Sequence, residues 1–149
     1  MKEIDEDEIN HEMYVHLLWS TTSQKPIIPT SVTPLLYNFF CDLTLDEGCH
    51  LIGGHVFCDH IQLVIKFNPD TLFFDLITNL KVASLLWFRT NFPEIEKFEW
   101  QKSDFGFTVG FDEVGTLLER IKRAKLFEEE VFSLLDQNEM KYDRVEVLK

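Results

Sequence analysis

Two side chains in the run Asp59-His60-Ile61-Gln62-Leu63 have the types and spacing to hold a cation. Neighbouring side chains on a strand point to opposite faces, so His60 and Gln62 share one face. The pair could bind a divalent metal, although a neutral amide oxygen is a poor substitute for a second imidazole with first-row metals. The plainer reading is that the two hydrogen-bond on a sheet face. Cys49, His50, Cys58 and His60 are the residue types that bind zinc. Residue 49 begins one strand, however, and 58 and 60 begin its antiparallel partner. About seven residues at roughly 3.3 Å each separate the two ends, so only His55, Cys58 and His60 could meet.

Nucleophiles are few. The tyrosines are Tyr14, Tyr37 and Tyr142, and none falls in residues 105–126. Ser103, Thr108 and Thr116 carry hydroxyls without a base beside them. Arg120-Ile121-Lys122-Arg123-Ala124-Lys125 is a basic run. Arg120 and Arg123 share a helix face at i, i+3 and could touch phosphate. The same cations would equally complement a helix C-terminus. Gly53-Gly54 lacks the surroundings of a phosphate loop and fits a bulge in a strand.

These residues need elements to position them. Tyr14 to Ser20 alternates as a strand. After Pro26 and Pro29, Thr33 is placed to cap a helix with Pro34 at its first position, and Gly48 ends it. Its stripe is Leu35, Leu36, Phe39, Phe40 and Leu43. His50 to Val56 and His60 to Phe67 form two strands joined by a short turn. Asn68-Pro69-Asp70 opens a long helix with Leu72, Phe73, Leu76, Ile77, Leu80, Ser84, Trp87 and Phe88 on one side, closed by Pro93. Phe105, Phe107, Val109 and Phe111 alternate with small residues as a one-sided strand. Asp112 caps a helix to about Ala124, and Phe127 to Asn138 is a further amphipathic helix.

The order β-α-β-β-α-β-α-α predicts an α+β fold, the ferredoxin-like split β-α-β sandwich. Its four-stranded antiparallel sheet carries helices on one face, with the C-terminal helices added. Ile61, Leu63, Ile65 and Phe67 are expected toward the helices, and His60, Gln62, Val64 and Lys66 on an open face. One domain spans 12–143, after an acidic, flexible lead-in over 1–11 and before a tail at 144–149.

Composition supports this reading. The chain has 149 residues, 45% hydrophobic with 14 Phe, enough for one core. The net charge of −12 disfavours a general nucleic-acid binder. The charge is uneven, with acids at both ends around the basic run, so a local DNA contact is weakened but not excluded. No apolar run approaches the roughly 20 residues of a membrane span. The acidic start lacks the marks of a secretory signal. Three cysteines without a framework spacing fit free thiols in a reducing cytoplasm.

Five segments together resemble the single-tyrosine HUH transposases of insertion-sequence type, including the REP-associated group. They are Tyr14 to Thr21 followed by Lys25-Pro26; Asp59-His60-Ile61-Gln62-Leu63; Leu80-Lys81 before Trp87; Trp100-Gln101 with Gly106-Phe107-Thr108-Val109; and Phe127 to Glu130 with Lys141-Tyr142-Asp143. In that family two histidines and a polar residue on the C-terminal helix hold magnesium or manganese, and a tyrosine of that helix attacks a phosphate of single-stranded DNA. Aligned without gaps, the resemblance puts His60 and Gln62 at the two histidine positions. It puts Arg120 at the nucleophile and Ala124 at the third ligand, while Tyr142 matches a non-catalytic tail residue.

The resemblance therefore implies a catalytically inactive derivative that needs no cofactor and can pair as a homodimer, as many relatives do, and the apolar-run lengths imply no membrane association. Its alternatives are a regulator that still binds a DNA hairpin or single strand, a protein-interaction dimer without DNA, and an enzyme rewired through His55 and His60 with an acidic partner. Arg120, Lys122, Arg123 and Lys81 are the candidate DNA contacts, although Val82 and Ala83 after Lys81 replace basic residues of the family.

Overall fold

In the computed structural model, residues 13–95, 98–124, 126–140 and 148–149 are described. Strand β1 spans Met13–Ser20, helix α1 Thr33–Asp46, β2 His50–Val56, β3 His60–Phe67, α2 Phe73–Asn91, β4 Phe105–Val109, α3 Val114–Arg123 and α4 Phe127–Gln137. The strands lie in the order β2-β3-β1-β4 and every pair is antiparallel. This is the split β-α-β arrangement expected from the element order.

Strand parity divides the core in two. Val15, Leu17, Trp19, Ile61, Leu63, Ile65 and Phe67 face α1 and α2, where they meet Leu36, Phe40, Leu76, Ile77, Leu80 and Phe88. Burying one such aliphatic side chain contributes about 1.5–3 kcal/mol, so this layer supplies most of the drive to fold.

The other face is not open. Helix α3 covers Val64 with Leu117 and Ile121. Helix α4 covers Leu18 with Phe127, Val131, Leu134 and Leu135, flanked by Phe105 and Phe107 of β4. The reason is chemical: Leu18, Val64, Phe105, Phe107 and Val109 make this second face apolar, and it too must be removed from water. Both central strands consequently read as nearly continuous buried runs.

Two local features differ from the expected boundaries. Helix α1 starts at Thr33 itself, with Pro34 inside its first turn and Val32 as cap. Helix α2 starts at Phe73, because Asn68 Oδ1 accepts the Asp70 amide at 2.9 Å and forms its own turn first. Gly48 ends α1 as expected, at φ +77°. Gly53 and Gly54 sit at a register shift of β2 against β3. Gly54 has φ +140°, a conformation side-chain-bearing residues rarely adopt.

Candidate functional site

His60 opens β3 and Gln62 follows on the same face. Their neighbour across the β1–β3 pairing is His16, opposite Val64 and two residues along from Leu18, which pairs with Gln62. Gln62 bridges the two rings: its Oε1 lies 2.9 Å from His16 Nε2 and its Nε2 lies 3.3 Å from His60 Nε2. His60 Nδ1 lies 2.7 Å from Asp59 Oδ1. The amide fixes the tautomers. Its oxygen accepts from His16 Nε2–H and its NH₂ donates to His60 Nε2, so His60 carries its proton on Nδ1 and donates it to Asp59.

All three members are sealed. His60 and Gln62 have no exposed surface and His16 has 1%. Phe57 stacks on the His60 ring at 4.2 Å and 8°, and Phe127 of α4 approaches it at 5.3 Å. Burial pushes the His16 pKa down to about 4, with the Arg120 charge adding to the effect against the Gln62 hydrogen bond. The interior therefore holds His16 neutral, and its Nδ1 is a buried acceptor without a hydrogen-bond partner among the described residues.

The resemblance implies a divalent metal here, and the residues present do not fit one. Both nitrogens of His60 are engaged, the second ligand position is an amide already shared between two imidazoles, and Ala124 has no donor atom. Among the described residues, no group of three or more His, Cys, Asp and Glu side chains is arranged to hold a metal ion. The rewired pair fares no better. The Phe57 ring contacts His55 at 4.5 Å and His60 at 4.2 Å and stands against both. His50 pairs with Lys66 at the far end of the β2–β3 ladder, so Cys49 and His50 stay away from Cys58 and His60 as the strand arithmetic requires.

Arg120 does face the sheet. It lines a cleft with His16, and its Nε lies 4.0 Å from Glu130 Oε2 on α4. Ala124 takes extended backbone angles and ends α3. Lys122 pairs with Glu119 at 3.2 Å, and Arg123 is exposed. Lys81 lies on α2, across the sheet from α3, and directs its ammonium at the carbonyls of Gln101 and Lys102 and at Asp104. The four cations thus do not form one patch. Tyr37 lies on α1, on the opposite side of the sheet from His60. Tyr14 pairs with Lys66 while Ser20 pairs with His60, six residues or about 20 Å along the strand. Tyr142 lies outside the described residues.

His16 is the member that the sequence reading passed over. Its parity places it on the Gln62 face, but only the β1–β3 register brings it to the amide. Ser20 and Gln101 form a second buried polar contact nearby, Ser20 Oγ donating to Gln101 Oε1, and the signal was again only parity.

The sequence profile of the family described as "Transposase IS200 like" matches residues 9–124. Two solved structures share the fold. One, a candidate transposase from Deinococcus radiodurans R1, is 21% identical with a TM-score of 0.63, over 83% of this chain and 97% of that one. The other, a REP-associated tyrosine transposase bound to a REP hairpin, is 12% identical with a TM-score of 0.54, over 81% of this chain and 70% of that one. A comparison with curated proteins finds no match.

Proposed function

The chain belongs to the IS200-like transposase family, and on that premise we propose that it is a non-catalytic member, keeping the fold while the nucleophile and two of the three metal ligands are replaced. One observation carries this reading. His60, at the position of the family's first metal ligand, is fully buried between Phe57 and Phe127, and both of its nitrogens are hydrogen-bonded within the chain. A ring so enclosed has no lone pair to offer a metal and no opening through which a phosphodiester could approach. Arg120 at the nucleophile position supports the same reading, since a guanidinium stays protonated and cannot attack.

The test is incubation of the purified chain with single-stranded DNA and magnesium or manganese, followed by a denaturing gel. No covalent protein–DNA band is expected. An adduct would overturn the proposal, and its loss on Tyr142→Phe would identify the attacking hydroxyl.

A second reading is a hairpin-binding regulator. Lys122 and Arg123 at the exposed end of α3, and the structural neighbour bound to a REP hairpin, favour it. Its expected signature is affinity for a DNA hairpin that falls steeply with salt and weakens on Arg123→Ala. Absence of binding at low salt would remove it.

A further inference from the structure

Helix α2 begins beside bulky apolar residues that the core does not take in. Leu76, Ile77 and Leu80 turn into the main core, while Phe74 is 75% exposed and Leu72 69%. Phe73 is part-exposed, its ring 6.0 Å from Phe67 and over Gly106 of β4. Phe67 pairs with Met13, also part-exposed, so Met13, Leu72, Phe73 and Phe74 adjoin as one patch. At about 200 Å² for a whole large side chain, the four show roughly 450 Å² to water, the scale at which an apolar patch marks an interaction site. Beside it, on the same side of the sheet, β4 presents only Gly106 and Thr108, opposite Leu17 and Val15, and both are exposed. The flank of α2 therefore stands over a floor of small residues, with room for one more helix about 10 Å across.

The charge around the patch selects its occupant. Asp70 and Asp75 stand exposed on either side of Leu72, Phe73 and Phe74, and Glu47 lies beside them, its carbonyl accepting from Thr71 at 2.9 Å. No lysine or arginine occurs from 67 to 80. Lys66 precedes this stretch on the opposite sheet face, and Lys81 is directed to Gln101, Lys102 and Asp104. The acidic lead-in, six acids and one lysine in residues 1–12, joins β1 at Met13, at the edge of the patch. DNA or an anionic bilayer would be repelled here, and a second copy would bring the same acids against these.

We propose that this surface binds a cationic amphipathic helix of another protein. Its apolar side chains lie on Leu72, Phe73 and Phe74, and its lysines or arginines face Asp70, Asp75 and the lead-in. Roughly 450 Å² is about half of what each partner gives to a standard complex, which suits one helix better than a whole domain. The surface is on the far side of the sheet from His60, and its occupation does not depend on whether the chain cleaves or binds DNA.

The experiment titrates the intact chain with an amidated peptide of repeating Leu-Leu-Lys-Lys blocks, and with versions carrying Glu for Lys or Ala for Leu. Peptide fluorescence anisotropy reads affinity, and the backbone amides of residues 72–75 and 106–108 report the place. The Leu-Lys peptide is expected to bind saturably and to shift those amides, and each altered peptide to bind about tenfold more weakly or worse. Phe74→Ser should weaken binding about tenfold. Affinity should fall as salt shortens the screening length from about 30 Å at 0.01 M to about 8 Å at 0.15 M. If Phe74→Ser unfolds, Leu72→Ser takes its place, and the three peptides on the unaltered chain decide if both do. No saturable binding, shifts confined to other residues, or equal affinity for the Glu peptide overturns the proposal. So does a dimer in sedimentation that Phe74→Ser converts to monomer, since the patch then holds a second copy. A larger shift of the same amides by phosphatidylserine vesicles than by the peptide overturns it as well.

Discussion

Gln62 is the residue on which the buried polar cluster turns. It satisfies two imidazoles at once, donating to one and accepting from the other. Removing its amide would orphan both rings inside the fold at about 1–3 kcal/mol each. Gln62→Leu is therefore expected to cost about 2–5 kcal/mol in urea unfolding. A loss under about 0.5 kcal/mol would show that the bridge contributes nothing.

His16 adds a pH dependence. Its folded pKa is depressed from 6.5 to about 4, so the unfolded chain binds a proton that the folded chain refuses between those values. Stability is then fully present above pH 6.5 and is lost as pH falls toward 4. The span of that loss is about 3 kcal/mol. Unfolding measured across this window should rise with pH, and the slope should flatten in His16→Gln. An unchanged slope would mean that His16 is not held neutral.

At the scale of elements, two glycines in β2 do different jobs. Gly53 lets α3 approach, since a Cβ there would meet Leu118 Cδ2 at 2.6 Å. That neighbour is the end of a flexible side chain, so Gly53→Ala is expected to cost only about 1 kcal/mol. Gly54 has φ +140° and its missing Cβ would run into the backbone carbonyl of Gln62. Neither strain nor backbone can yield there, and Gly54→Ala is expected to cost about 3 kcal/mol or more. Thermal unfolding of the two variants should rank them in this order.

Helix α4 acts as a lid through Phe127, which is 1% exposed and lies over His60. Phe127→Ala is expected to destabilise by about 3–5 kcal/mol. It should also open His60 to diethylpyrocarbonate. In the unaltered chain, mass spectrometry should find the exposed His50 and His55 modified and His60 protected. Rapid modification of His60 without the substitution would contradict its enclosure.

At the scale of the whole molecule, a charge of −12 on 149 residues works against compaction through self-repulsion. Raising ionic strength from about 0.01 M to 0.15 M shortens the screening length from about 30 Å to 8 Å. The melting temperature should rise over that interval, while any hairpin affinity should fall. A melting temperature that drops with added salt would indicate that ion pairs such as Lys81–Asp104, 3.3 Å apart, outweigh the repulsion. Among the described residues, no helix is long and apolar enough to cross a membrane.

The five motif segments carried the family resemblance, and alternation and punctuation in the chain determined the four strands and the two crossing helices. Each of these rests on a local period of two or 3.6 residues, and Gly48 and Gly54 stand where backbone geometry admits little else. The same alternation put His60 and Gln62 on one face. It could not say that the face is covered, because an apolar strand face reads alike whether water or another helix lies above it. The packing of α3 and α4 decided that, and the β1–β3 register decided that His16 meets Gln62 from 46 positions away. Burial and long-range pairing depend on contacts between segments distant in the chain, and no local pattern records them.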